Sequence, residues 1–149
     1  MRSITRIKRH VMTYEECARV GRQHHNDTNF CSVIAMAVGC EIAFSRARAI
    51  MAKHIARQNG RGTYRHQALK LITDMGYEVR EVSVYSRTLK SVQRELAGTE
   101  GSYFVYTKGH VSCVKDGVMQ DWSRNDIRPS SKRIQTVYQI IPTETVVRY

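Results

Sequence analysis

The hydrophobic pattern of the chain changes near Gly76. Before this glycine, apolar residues recur three or four positions apart, which places them on one face of a helix, as in Ala68, Leu71, Ile72 and Met75. After it, apolar and polar residues alternate from Tyr77 to Val84, and further short runs rich in strand-forming residues follow. Helical segments that precede strand segments are typical of the α+β class. We therefore predict helices packed on a C-terminal antiparallel sheet.

The length of 149 residues fits a single domain. Its helical part is predicted at about residues 13–76 and its sheet part at about 77–149, and no linker, repeat or low-complexity segment separates them. Thr13 and Glu16 have the capping-box spacing that starts a first helix, and Ser45 and Thr63 are predicted to cap two later ones. The four helices predicted in this part span residues 14–23, 30–38, 45–58 and 63–75.

The sheet part contains one predicted helix, at residues 88–97, and several strand-like runs. These runs lie at residues 77–84, 103–106, 110–114, 118–122 and 134–141. Asp116-Gly117 separates two of them, and this dipeptide is a strong signal for a two-residue hairpin turn. Counting outward from the turn places Val118 opposite Lys115.

The predicted helix 30–38 and the predicted strands of the hairpin carry three residues with complementary chemistry. Cys31 lies in the first turn of the predicted helix 30–38, where free backbone N–H groups and the helix dipole favour a thiolate. His110 begins a strand and is expected to accept the proton of that thiol. Asp121 lies on the next strand, close to Ser112 across the hairpin, where its carboxylate can fix the orientation of the imidazole.

The order of these residues resembles that of the papain-like cysteine peptidases, and most closely that of their small bacterial and phage-encoded members. The similarity spans about residues 26–123 and rests on Asn29-Phe30-Cys31-Ser32-Val33-Ile34-Ala35, Lys108-Gly109-His110-Val111 and Asp121-Trp122-Ser123. The resemblance implies a papain-like fold with Cys31 as nucleophile, His110 as base and Asp121 as orienting acid. It also implies hydrolysis of an amide, isopeptide or thioester bond in a protein or peptide, without a cofactor.

Many members of this family carry an oxyanion-hole glutamine a few residues before the nucleophile, and this sequence departs from that pattern. Its nearest glutamine, Gln23, lies eight positions before Cys31. Asn26, Asn29 and His25 are the candidate side-chain donors beside the backbone N–H of Cys31. The sequence does not choose among the three.

The charge of the chain is strongly positive. Its 24 lysines and arginines against 13 aspartates and glutamates give a net charge of +11, and seven basic residues but no acidic one lie between Ile42 and Thr73. Such a segment predicts a surface for an anionic partner, either a nucleic acid or an acidic protein. Helical spacing places Arg46, Lys53 and Arg57 on the face of the helix 45–58 opposite its apolar face. The candidate anion-binding residues, on this face and the following loop, are Arg46, Lys53, Arg57, Arg61 and Arg65.

Other functions are compatible with the same residues. The chain could be a catalytically inactive papain-like adaptor or inhibitor that binds an acidic host protein through the helix 45–58, or a basic nucleic-acid-binding module. Taken singly, Cys31 could be a small buried hydrophobic residue, His110 a histidine at a strand end and Asp121 the cap of a turn.

Further features exclude several classes of protein. The cysteines form no C-x-x-C motif and their spacings fit no zinc site, so neither a disulfide framework nor a bound metal is predicted for Cys17, Cys31, Cys40 and Cys113. No apolar run approaches the roughly 18 residues of a membrane span, and the N-terminus lacks the apolar region of a secretory signal. We therefore expect a cytoplasmic protein without membrane association, in the host cytoplasm if a phage encodes it.

Overall fold

The computed structural model describes residues 6–27, 30–121, 132–144 and 147–148. The helices in these ranges are α1 Tyr14–His24, α2 Cys31–Gly39, α3 Phe44–Ile55, α4 Arg65–Asp74 and α5 Leu89–Glu95. The strands are β1 Arg6–Ile7, β2 Tyr77–Val82, β3 Ser102–Thr107, β4 His110–Lys115, β5 Val118–Gln120, β6 Ile134–Pro142 and β7 Val147–Arg148. The chain is therefore an α+β protein, as the change of pattern near Gly76 predicts.

Five strands form one antiparallel sheet in the order β2-β6-β3-β4-β5, while β1 and β7 form a separate parallel pair. The β4–β5 hairpin has the predicted register, with Lys115 opposite Val118. Asp116 and Gly117 form its turn with φ values of 49° and 79°, since a two-residue hairpin turn of this type needs positive φ at both positions. This register fixes the position of the residue that follows β5, Asp121.

The central strands are covered on both faces. On one face, Phe104 of β3 and Cys113 of β4 belong to a large core that includes α2 and α3. On the other face, Val105 and Val114 pack with Val92 of α5 in a second core. Strands β3 and β4 therefore form a rigid support for the residues at their ends.

Helix α2 is almost completely buried. Seven of its nine residues, Val33 to Gly39, are buried, so the helix is apolar on every side. Gly39 packs so closely on β3 that a Cβ atom there would lie 2.6 Å from Phe104 Cε1. The helix thus runs through the core and brings its first residue, Cys31, to the beginning of β4.

The predicted helix caps at Ser45 and Thr63 are wrong. Helix α3 begins one residue before Ser45, and helix α4 begins two residues after Thr63. The Ser45 hydroxyl contacts His25 Nε2 at 2.8 Å, and the Thr63 hydroxyl donates to Ser32 Oγ at 2.7 Å. Both hydroxyls have partners that lie 20 or more residues away, so the local sequence does not reveal them.

Candidate active site

Cys31 is the first residue of α2. Phe30, which precedes it, has a φ of −107° and provides no side-chain cap, and the first turn contains no acidic residue. The N–H groups at a helix start have no acceptor within the helix, and the helix dipole places a partial positive charge there. The Cys31 sulfur therefore lies where a negative charge is favoured.

His110, the first residue of β4, lies beside the Cys31 thiol, and the two side chains line the same two cavities. Its Nε2 lies 2.8 Å from Asp121 Oδ2, which leaves Nδ1 as the ring nitrogen for the sulfur. Ser112 donates to the same Oδ2 at 2.5 Å. Residues two apart on a strand point to the same side, which explains why both side chains of β4 reach Asp121. The structure thus brings Cys31, His110 and Asp121 together.

The surroundings of these groups favour a thiolate beside a protonated imidazole. Burial raises the pKa of Cys31, but hydrogen bonds from His110, the Val111 N–H and Ser32 outweigh it and hold this pKa below its usual value. Burial lowers the pKa of His110, but hydrogen bonds with Asp121 and Cys31 outweigh it and raise this pKa to about 9. The lowered pKa of Cys31 and the raised pKa of His110 both favour the pair of thiolate and imidazolium.

The other cysteines have different environments. Burial raises the pKa of Cys17 to about 12 and also raises the pKa of Cys113. These two thiols and that of Cys40 are buried in the core, whereas Cys31 is partly exposed. Cys31 therefore differs from Cys17 and Cys113 in its pKa, and from all three in its exposure.

Two cavities meet at the pair of Cys31 and His110. Their volumes are about 460 and 220 Å³, and Gly62, Gly109 and Val111 also line both of them. The larger cavity has an apolar wall that includes Phe30, Ile34 and Ala35. The smaller cavity lies beside the start of α4 and the end of β3. The thiol is thus accessible from a cleft with two branches.

The structure does not bring the predicted oxyanion-hole side chains to Cys31. Asn29 lies outside the described residues. His25 and Asn26 line neither cavity, and the His25 ring instead contacts Ser45 at the start of α3. His25 and Asn26 are therefore not supported as donors to an oxyanion at this sulfur.

A buried ion cluster surrounds Asp27, the residue that follows Asn26. Asp27 accepts hydrogen bonds from Arg57 Nη1 at 2.6 Å and Nη2 at 3.1 Å, from Arg48 Nε at 3.0 Å and from the Gly60 N–H at 2.7 Å. Burial raises the pKa of Asp27, but these hydrogen bonds outweigh it and hold the pKa far below its usual range. The cluster fixes Asp27 against α3 and the loop that follows it, and Asp27 lines neither cavity.

The prediction that Arg57 lies on an exposed anion-binding face is wrong. Its side chain is 2% exposed and forms an ion pair with Asp27. Helix α3 ends at Ile55, and Ala56 has a left-handed backbone with a φ of 55°. The chain therefore leaves the helical path before Arg57, and the spacing used to place this residue no longer applies.

The other four predicted anion-binding residues lie in two places. Arg46, Lys53 and Arg61 are exposed, and none of them lines either cavity. Arg65 is the first residue of α4 rather than a loop residue, is partly buried and lines the smaller cavity. Of the five predicted cations, Arg65 alone reaches the cleft of Cys31.

Three polar residues of the larger cavity were not predicted from the sequence: Tyr14, Arg22 and Gln120. The Tyr14 N–H donates to Gln120 Oε1 at 2.9 Å, which ties the start of α1 to β5. No local signal predicts this contact, because 106 residues separate the two positions. The role of Ser112 is different, since strand alternation places it on the same side as His110 and could have found it.

No family model, curated protein or solved structure matches the chain. Within the described ranges, no helix combines the length and the apolar character needed to cross a membrane. In the same ranges, no group of three or more histidine, cysteine, aspartate or glutamate side chains is arranged to hold a metal ion. The interpretation of function therefore depends on the geometry around Cys31.

Proposed function

We propose that this chain is a papain-like thiol hydrolase that cleaves an amide, isopeptide or thioester bond in a protein or peptide. The observation that carries the proposal is the position of the Cys31 thiol beside His110, with which it lines two cavities and whose Nε2 is held by Asp121. A thiol, a base and a group that orients the base are the components of nucleophilic catalysis by cysteine. Cys31 and His110 lie where two cavities meet, so a substrate can reach the sulfur.

The positions of these residues on the fold support the papain-like assignment. The proposed nucleophile begins a buried helix, the histidine begins a strand, and the aspartate follows the next strand of an antiparallel sheet. This is the order that the resemblance implies. The α+β architecture is compatible with it.

The proposed reaction has two acyl-transfer steps. In the first, the Cys31 sulfur attacks the carbonyl carbon, and the leaving amine or thiol departs with the proton carried by His110. In the second, His110 takes a proton from water, the resulting hydroxide adds to the thioester, and the C–S bond breaks to release the acid. The backbone N–H of Cys31, at the start of α2, would donate to the oxyanion formed in both steps.

Alkylation by iodoacetamide at about pH 6.5 tests the proposal. We expect Cys31 to react faster than Cys17, Cys40 and Cys113, because the thiolate is the reacting species and His110 favours it at Cys31. Peptide mass spectrometry of the folded protein measures the rate at each cysteine. Equally slow labelling of all four would contradict the proposal.

A control is needed because Cys31 is also the most exposed of the four thiols. His110→Gln removes the base and preserves a polar side chain at the same position. We expect the alkylation rate of Cys31 to fall at least about tenfold in this variant, since one unit of pKa changes the thiolate fraction tenfold. An unchanged rate would show that exposure alone explains the labelling.

An inactive adaptor is the second candidate, and the exposed cations of α3 and the loop after it favour it. Arg46, Lys53 and Arg61 form no ion pair within the part of the chain that is described. Such a protein would bind an acidic partner through this face, and charge reversal at Arg46 and Lys53 would abolish binding while Cys31→Ala would not. Retention by DNA or RNA that falls steeply with salt would instead indicate a nucleic-acid-binding module.

A further inference from the structure

The smaller cavity beside Cys31 and His110 contains polar groups that the proposed reaction does not use. Its lining includes residues from the start of α4, the end of β3 and the start of β6. Five of these lining residues are Tyr64, Arg65, Tyr106, Thr107 and Gln135.

The Arg65 guanidinium is fixed by three contacts. Its Nη1 donates to Thr136 Oγ1 at 3.1 Å, its Nη2 donates to Gln135 Oε1 at 2.7 Å, and its central carbon lies 4.4 Å from the centre of the Tyr106 ring. Among the described residues, no carboxylate forms an ion pair with it. A guanidinium has five N–H donors, so the neutral acceptors among the described residues use only some of its donors and do not compensate its charge.

Thr107 provides a second, independent observation. It is 2% exposed, lines the same cavity as Arg65 and lies at the end of β3. Its Oγ1 is buried and has no hydrogen-bond partner in the described part of the chain. A buried hydroxyl without a partner is costly, and a ligand that bonds to it would remove that cost.

The start of α4 also faces this cavity. Tyr64, its N-cap, lines the cavity and provides no side-chain cap, and the first turn contains no acidic residue. The N–H groups of the first turn and the helix dipole therefore favour a negative charge there. The helix start, the guanidinium of Arg65 and the hydroxyl of Thr107 all suit an anionic group.

We propose that the smaller cavity is a substrate subsite that binds a carboxylate, so that the enzyme prefers a bond next to an acidic residue. The inference rests on the proposed hydrolase function, because the cavity shares Cys31 and His110 with that site. Arg65 binds the carboxylate through charge-assisted hydrogen bonds, and Thr107 donates to the carboxylate or to the adjoining peptide group. Arg65 is the single arginine or lysine among the described residues lining this cavity, which suits one carboxylate better than a chain of phosphates.

Two reagents that differ by one charge test this subsite, the α-amides of N-chloroacetyl-glutamate and N-chloroacetyl-glutamine. With each reagent the Cys31 thiolate forms a C–S bond as the C–Cl bond breaks and chloride leaves. Mass spectrometry gives the rate of Cys31 alkylation at about pH 6.5 for both. We expect the carboxylate reagent to react about tenfold faster than the amide, a ratio typical of one hydrogen bond between charged groups.

Three variants test which residues cause the difference in rate between the two reagents. Arg65→Gln removes the charge, and we expect the ratio to fall to about one. Thr107→Val replaces the hydroxyl by a methyl group of the same shape, so the variant is expected to fold and to lower the ratio about threefold. Arg94→Gln removes the same charge from an exposed position of α5, which packs on the other face of the sheet, and should leave the ratio unchanged.

The outcomes separate this proposal from the function on which it rests. A rate ratio near one in the wild-type protein, or a ratio that Arg65→Gln leaves unchanged, would overturn the subsite proposal. The hydrolase proposal would still stand in that case if Cys31 is alkylated selectively. An equal fall in Arg94→Gln would show an effect of overall charge and would also overturn it. If neither reagent labels Cys31 selectively, the hydrolase proposal fails and the subsite fails with it.

Discussion

The two buried aspartates of the described residues have contrasting partners. Asp27 is bound by two arginines and a backbone N–H, groups that keep their protons over the whole working pH range. Asp121 is bound by Ser112 and by His110, a residue that can gain or lose a proton and that contacts Cys31 beside two cavities. A carboxylate enclosed by permanent cations suits a structural role. A carboxylate that controls a titrating group at a cleft suits a chemical one.

Loss of the Cys31 thiol should cause the largest difference between the two aspartate regions, because it should affect only the chemistry of the Asp121 region. Cys31→Ala is expected to reduce acetyl transfer from p-nitrophenyl acetate by about 10³-fold or more, since the proposed nucleophile is absent. Release of p-nitrophenolate measures the reaction, and mass spectrometry shows whether the acetyl group is on residue 31. Cys40→Ala, measured on folded protein, serves as the control and should retain the rate. A Cys31→Ala protein that reacts normally would contradict the proposed site.

Loss of the Asp27 charge should affect stability instead. Asp27→Asn removes the charge that pairs with the buried Arg57 guanidinium, and we expect a loss of about 3–5 kcal/mol in the free energy of unfolding. Urea denaturation measures this change. Asp74→Asn, which breaks the surface pair with Lys70, should cost less than about 1 kcal/mol. Folded Asp27→Asn should still show selective alkylation of Cys31, and a cost no larger than that of Asp74→Asn would contradict the structural role.

Loss of the Asp121 charge should shift the pH dependence of the site. The carboxylate raises the pKa of His110, so Asp121→Asn is expected to lower this pKa below about 9, and to lower the alkylation rate of Cys31 near pH 6.5 about tenfold. Titration of the His110 ring by NMR and the pH dependence of alkylation measure the two effects. Because the folded-state pKa is raised, charged His110 stabilises the fold below pH 6.5, and this contribution is lost as the pH rises through about 9.

The control for this shift is Asp116→Asn, which changes an exposed carboxylate in the turn of the same hairpin. It should leave the titration of His110 unchanged. Equal shifts in Asp116→Asn and Asp121→Asn would mean that the effect comes from net charge rather than from the hydrogen bond to Nε2.

The smallest expected effect concerns the outer cation of the Asp27 cluster. Arg48→Met removes one hydrogen bond but keeps the apolar part of the side chain, and Arg57 and the Gly60 N–H still bind the carboxylate. We expect a loss of about 1 kcal/mol in the free energy of unfolding, measured by urea denaturation. A loss as large as that of Asp27→Asn would show that Arg48, and not Arg57, is the main counter-ion.

Local signals in the sequence predict the elements that position the candidate site. Thr13 accepts a hydrogen bond from the Glu16 N–H at 3.2 Å and caps α1, as its spacing indicates. The Asp116-Gly117 turn sets the hairpin register that brings Asp121 towards His110. These features depend on residues a few positions apart, and short segments of sequence therefore contain them.

Contacts between distant segments could not be predicted in the same way. Arg57 and Asp27 are 30 residues apart, and helical spacing assigned Arg57 to an exposed face because nothing local marks the left-handed turn at Ala56. Likewise, Arg65 and Thr136 are separated by 71 residues. The smaller cavity exists because folding brings Arg65, at the start of α4, against Gln135 and Thr136 of β6, and periodicity within either element carries no information about that contact.

The close packing of Gly39 on the sheet has an effect at the opposite end of α2. A helix rises about 1.5 Å per residue, so Gly39 and Cys31 lie about 12 Å apart on one stiff rod. A methyl group on Gly39 would collide with Phe104, and the rod would have to tilt away from the strands to relieve the collision. Since the sulfur moves with the helix and the imidazole stays with the sheet, this tilt would change the distance between them. The lack of a side chain at Gly39 thus sets the distance between the Cys31 sulfur and the His110 imidazole.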